Sequence, residues 1–189
     1  LSEEPQESSD TDVQMRYSDD NGMTWSNAVR VNDDTGTNSQ FNPRIAFDGR
    51  SGQVAVAWYD ARNDKGDNGR GDTNGVPNDD IMIYSAVSKD GGNTFTRNRR
   101  LSVASSNDNK AKSGVDYGDY AGFAFFNGTM IFSAADNSNS TGDNPDGTLA
   151  EYDYVQGFDR VDAYPFVGGT DYASAADANS TDGTVSTVP

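Results

Sequence analysis

The chain has 189 residues, a net charge of −16, and neither cysteine nor histidine. Those two absences exclude disulfides, thiolate or imidazole metal sites and Ser-His-Asp chemistry, so any catalysis must run on carboxylates, arginine, tyrosine or a bound metal. The charge comes almost wholly from aspartate and would repel phosphate, which makes nucleic acid a poor partner.

Apolar residues make up 33% of the chain, in short β-branched or aromatic runs bounded by Gly and Asp. This pattern predicts many short strands joined by polar turns and argues against long helices. No window approaches the roughly 18 apolar residues of a membrane span. Residues 1–11 are a polar N-terminal segment unlike a signal peptide, so the expectation is a soluble chain whose export signal was removed or lies outside it.

In chain order, an alternating stretch DVQMRYS (12–18) leads into SDDNGMTW (18–25), followed by the strand candidate NAVRVN (27–32). Two strand candidates joined by a tight turn come next, FNPRIAFD (41–48) and QVAVAWYDARND (53–64). A polar loop (61–80) follows, then DIMIYSAVS (80–88), SKDGGNTF (88–95) and FTRNRRLS (95–102). The eight-residue boxes share Ser, Asp, Gly, Thr and an aromatic residue at the same slots: Ser18, Asp20, Gly22, Thr24 and Trp25 against Ser88, Asp90, Gly92, Thr94 and Phe95. Each box suits the turn of a hairpin. Its Asp would accept backbone N–H groups, its Gly would take positive φ, and its aromatic would pin the hairpin to a core.

The strand pair recurs as GDYAGFAFF (118–126) and TMIFSAADNSN (129–139), with TLAEYDYV (148–155) as a third strand. Strand pair, loop and box hairpin together make one four-stranded antiparallel sheet per roughly 70 residues, the pattern of β-propeller blades. The predicted fold is therefore all-β, a partial propeller of two to three blades over 12–165. Residues 12–32 would form a half blade, 41–102 a full blade and 118–155 a partial one, with 166–189 a polar tail or linker. So few blades cannot close a ring, so the expected partners include further copies or segments that complete it. An open stack of sheets is the alternative architecture.

The Ser-x-Asp-x-Gly-x-Thr-(Trp/Phe) boxes resemble the Asp-box, or bacterial neuraminidase repeat, of sialidase-type β-propellers, and the resemblance covers roughly residues 12–155. It implies that the boxes lie on outer hairpins away from the binding face, and it is shared by non-hydrolytic propellers. By the same resemblance, Arg44 of PRIAFD would bind a substrate carboxylate, Arg62 would line the pocket, and Asp67, or Asp64 as second candidate, would be the acid/base. A box precedes Arg44, and Arg160 is the only arginine after Arg100. The expected function is accordingly an extracellular, non-catalytic module that binds a glycan or protein or builds a surface assembly. An exo-acting sialidase whose remaining catalytic residues lie outside this chain is the rival.

Tyr117 and Tyr120 are the candidates for exposed ligand contact, while Trp58, Tyr59, Phe123, Phe125 and Phe126 read as packing between blades. The sequons at Asn127, Asn139 and Asn179 are glycosylation candidates that fit an extracellular location. No cofactor is required. Calcium is a candidate ligand of the Asp-rich loop 61–80, whose carboxylates read equally as solvated turn residues, and the loop 136–147 carries the same ambiguity. The tripeptide Arg70-Gly71-Asp72 is too common by chance to indicate integrin recognition.

Overall fold

The computed structural model describes residues 10–102, 105–107, 117 and 121–134, and the backbone of 166–169. Among these, every regular element is a strand. Strands β1 (Gln14–Met15) and β2 (Val29–Arg30) form an antiparallel hairpin. Strands β3 (Gln40–Asp48), β4 (Gln53–Asp60), β5 (Asp80–Ser88) and β6 (Arg99–Arg100) follow one another in an antiparallel sheet, and β7 (Ser106–Asn107) pairs with the start of β5. A second sheet has the order β10-β9-β8, from β8 (Gly122–Phe126), β9 (Thr129–Ser133) and β10 (Phe166–Gly169).

Local chemistry accounts for the elements. The run VAVAWY makes β4 a strand buried on both faces, and β5 is nearly as buried, so these two sit at the centre of the molecule. Edge strand β3 carries the only proline of the sheet, Pro43, at a bulge between Phe41 and Arg44 where Asn42 takes a φ of 50°. Proline has no N–H to give a ladder, and an edge bulge is where that costs least. The β3–β4 turn is held by Asp48, which accepts from the N–H of Arg50 (3.0 Å) and the hydroxyl of Ser51 (2.8 Å). Asn127 and Gly128 join β8 to β9 with φ of 49° and 77°, the two positive values that a two-residue hairpin turn demands.

The central sheet is covered on both faces. Ala55, Ala57, Tyr59, Ile81, Ile83 and Val87 pack against Phe125, Met130 and Phe132 of the second sheet. Val56, Trp58 and Ala86 on the opposite face pack against Val13 and Val31 of the first hairpin. That hairpin covers only part of its face, leaving Ile45 and Phe47 of β3 60% and 64% exposed.

Three expectations need correcting. Trp25 does not pin its hairpin to a core: it is 60% exposed and lies over its own turn beside Gly22, whereas Phe95 does pack with Trp58 and its neighbours. Phe126 is likewise exposed, because it ends β8 at the turn, and its ring lies under the Arg50 guanidinium at 5.9 Å. The strand beside β9 is Phe166–Gly169, so the polar tail expected from 166 begins with four residues of strand. The expected third strand at 148–155 lies outside the described residues.

Candidate functional site

The two boxes build the same turn. Ser18 Oγ donates to Asp20 Oδ1 (2.8 Å) and accepts from Gly22 N, while Asp20 accepts the N–H and hydroxyl of Thr24 at 2.8 and 2.7 Å. Ser88, Asp90, Gly92 and Thr94 repeat these bonds at 2.8, 2.7, 2.9 and 2.6 Å. Hydrogen bonds from Thr24 and Thr94 are the largest influence lowering Asp20 and Asp90 from 3.8 to about 2.

The match extends beyond the boxes at the same spacing. Ser26 N donates to Tyr17 O and Ser26 Oγ accepts from Tyr17 N; Thr96 and Val87 do the same. Val31 N donates to Val13 O, as Leu101 N does to Ile83 O. Asn32 Oδ1 accepts from Val13 N at 2.9 Å where Ser102 Oγ accepts from Ile83 N at 2.9 Å. Identity matching missed these last pairs because unlike side chains make one bond.

Arg44 and Arg62, the arginines that the resemblance singled out, sit on opposite faces of the central sheet. Arg44 is opposite Ala57 in the β3–β4 register and donates through Nε to the carbonyl of Ala121 (3.0 Å), on the side of the second sheet. Arg62 lies over the ring of Tyr84 at 4.3 Å, on the side of the first hairpin. Its charge is already matched. The guanidinium meets Asp60 Oδ2 and Asp33 Oδ1 at 2.7 Å each and Asn98 Oδ1 at 2.8 Å. Burial works to lower the Arg62 pKa, but the hydrogen bond and charge of Asp60 outweigh it and hold the pKa above the ordinary value. Asp60 is fully buried and also takes the indole N–H of Trp58 at 2.6 Å. Because Asp33 and the Asn98 backbone N–H are bonded to each other as well, this knot ties β4 to both box hairpins.

Asp67 is exposed and accepts from the N–H of Gly69 (2.8 Å). Tyr117 is buried, 4% exposed, between Phe41 and Tyr59, with its hydroxyl donated to the carbonyl of Ser106 at 2.8 Å, so it presents no ligand platform. Its position between two sheets, which sequence does not reveal, is the reason. Asn127 is exposed on its turn; Tyr120, Asn139, Asn179 and the loop 136–147 lie outside the described residues.

Loop 61–80 folds on itself, with Gly66 against Pro77, Gly71 against Asn63 and Gly75 against Asn68. Such close approaches leave no room for side chains at these glycines. Solvated carboxylates are not what results. Asp64, Asp72, Asp79 and Asp80 are buried, and carboxylate oxygens of Asp64, Asp72 and Asp80 converge within 4.8 Å of one another. Asp64 Oδ2 accepts the N–H groups of Asp79 and Asp80, both at 2.7 Å, while its Oδ1 is buried without a partner. Desolvation, helped by the neighbouring Asp80 and Asp79 charges and opposed by those two N–H groups, raises the Asp64 pKa. Asp72 Oδ1 accepts from Asn74 N and Gly75 N and its Oδ2 from Asn68 N. Burial would raise its pKa, yet these donors hold it below the ordinary value. The Asp of the Arg-Gly-Asp tripeptide therefore faces inward. Sequence placed these carboxylates in one loop but could not show that they meet.

No protein-family model matches the chain, and no curated protein matches it.

Proposed function

We propose that the chain is a segment of a sialidase-like β-propeller that acts outside the cell as a non-catalytic module, binding a glycan or protein or building a surface assembly. One observation carries this reading: two box hairpins, 70 residues apart in sequence, with bond-for-bond matching turns and ladders. Radially repeated sheets need such repetition, and the antiparallel order β3-β4-β5 recurring in β8-β9-β10 supports it further. The exposed pair Ile45 and Phe47 supports completion by further strands, since two strands beside β1 and β2 would cover that apolar face.

The non-catalytic part rests on the arginines. A carboxylate-binding cluster needs guanidinium groups facing one pocket, whereas Arg44 and Arg62 face opposite ways and Arg62 is matched by Asp60 and Asp33. The extracellular part rests on the resemblance and on the exposed sequon at Asn127.

The test is an assay of the natively purified protein on a fluorogenic α-sialoside, together with particle images of its assembly. No sialoside cleavage and a ring of radially arranged sheets are expected. Cleavage that disappears in Arg44→Ala would establish the hydrolase instead, and an open linear stack would remove the propeller.

A further inference from the structure

We propose that Asp64, Asp72 and Asp80 form a binding site for one calcium ion, which locks loop 61–80 onto the end of the central sheet. The inference is independent of the propeller reading. Three carboxylates on one loop are not a site by proximity alone; the second observation is the state of Asp64. This side chain is fully buried, and Oδ1 meets no hydrogen-bond donor at all, although the loop around it is rich in amide groups. A buried, unmatched carboxylate oxygen is costly unless it holds a proton or a cation.

Among the described residues, no arginine or lysine forms an ion pair with Asp64, Asp72 or Asp80. The one described cation cluster nearby in sequence, around Arg62, is used by Asp60, Asp33 and Asp34. Three carboxylates thus share one small volume, with the buried Asp79 beside them donating its N–H to Asp64. A divalent ion would offset that concentration of charge.

The donors are all hard oxygens, which selects calcium, magnesium or manganese over zinc and copper. Calcium fits best on size. Ligand oxygens sit about 2.3–2.6 Å from calcium, so two on opposite sides of the ion stand roughly 5 Å apart, enough to bridge oxygens spread over 4.8 Å. Magnesium, at about 2.0–2.1 Å, reaches only about 4 Å across and demands a regular octahedron, which an irregular loop does not supply. Thr73 and Asn74 lie between the ligands Asp72 and Asp80 and are bonded to Asp80 and Asp79, so an ion at this point would fix the loop at both of its ends.

The test uses the full chain, stripped of metal by a chelator and titrated with calcium by calorimetry while unfolding is followed by thermal melts. One calcium per chain is expected. The melting temperature should rise with the logarithm of calcium concentration, as mass action on a folded-state site requires. Magnesium at equal concentration should give a smaller rise, and binding should persist in about 1 M KCl, which screens scattered surface carboxylates but not a buried site. In Asp64→Asn the side-chain oxygen can still accept from Asp79 and Asp80, so the chelated variant should melt close to the chelated wild type while losing the calcium response. Asp67→Asn, at an exposed carboxylate outside the cluster, should keep it.

The proposal falls if wild type shows neither heat nor melting shift with millimolar calcium, if binding vanishes in high salt, or if Asp64→Asn responds like wild type. It falls also if magnesium matches calcium. Should Asp64→Asn fail to fold, the wild-type titration in high salt decides alone. A wild type that ignores calcium and, in chelator, loses stability as pH rises through the raised Asp64 pKa would show that a proton occupies the place instead.

Discussion

Asp20 and Asp90 each hold a hydroxyl and a backbone N–H of the threonine four residues on, and each takes the hydroxyl of the serine two residues before. Every one of these bonds needs the ionised carboxylate as acceptor. Both pKa values are depressed, to about 2 from 3.8. A depressed folded-state pKa gives stability that is fully present above the unfolded value and is lost as pH falls through the folded one. The two turns should therefore weaken together between about pH 4 and pH 2. Acid titration followed by circular dichroism checks this: Asp90→Asn should melt below wild type at pH 7, and the gap should close by about pH 2. A gap unchanged across that range would mean the carboxylate charge is not what holds the turn.

The boxes match in bonding but not in surroundings. Both Gly22 and Gly92 have positive φ, at 84° and 100°. A Cβ on Gly22 would meet only Trp25, at 3.8 Å, while one on Gly92 would stand 2.6 Å from Met15 Cε, because the second turn packs on the first hairpin. Alanine at either position pays the left-handed backbone penalty of about 1–2 kcal/mol. Gly92→Ala must also push Met15 aside, and the neighbouring bond from Tyr17 to Asn93 (2.6 Å) would shift with it. Urea denaturation should rank Gly92→Ala below Gly22→Ala, and Met15→Ala should narrow the difference between the two glycine variants.

Arg62 is more useful to the fold than to a substrate. Arg62→Met would leave Asp60 fully buried with its charge unmatched, which costs about 3–5 kcal/mol. Arg62→Lys should recover only part of that, since an ammonium cannot span Asp60, Asp33 and Asn98 as the planar fork does. Removing both charges, in Arg62→Met with Asp60→Asn, should cost less than the two single changes added together. Additive losses in urea unfolding would show that the pair is not coupled.

What could be read in the sequence was local. The Ser-x-Asp-x-Gly-x-Thr spacing determines which side chain reaches which N–H within one turn, and the run from Val54 to Tyr59 can only be a strand buried on both faces. Loop 61–80 stood out by composition, but its glycines hide the compact packing that buries Asp64, because aspartate in a Gly- and Asn-rich stretch looks the same whether it faces water or a neighbour. Tyr117 and Trp25 exchange their expected roles for the same reason. One is enclosed by Phe41 and Tyr59, brought in from strands about 60 and 75 positions away, and the other finds no surface opposite it. Arg44 and Arg62 are both near the ends of strands in one sheet, yet only the pairing of Arg44 with Ala57 and the contact of Arg62 with Tyr84 assign them to different faces.

Tyr117 separates packing from recognition most directly. Its ring stands 4.8 Å from that of Tyr59 and 5.8 Å from that of Phe41, within the cluster that joins the central sheet to Phe132 of the second sheet. Truncation to alanine opens a cavity between the sheets, with a cost of about 3–5 kcal/mol as for other large aromatics. Tyr117→Phe keeps the ring and loses one hydrogen bond, but it leaves the buried carbonyl of Ser106 short of a donor, so about 1–2 kcal/mol is expected. A residue that touched a glycan would behave otherwise: Tyr117→Phe would weaken binding while leaving the melting temperature nearly unchanged. Thermal melts and glycan-array binding on the two variants distinguish these, and the buried position predicts that stability falls in both while any glycan bound by the wild type is still bound by Tyr117→Phe.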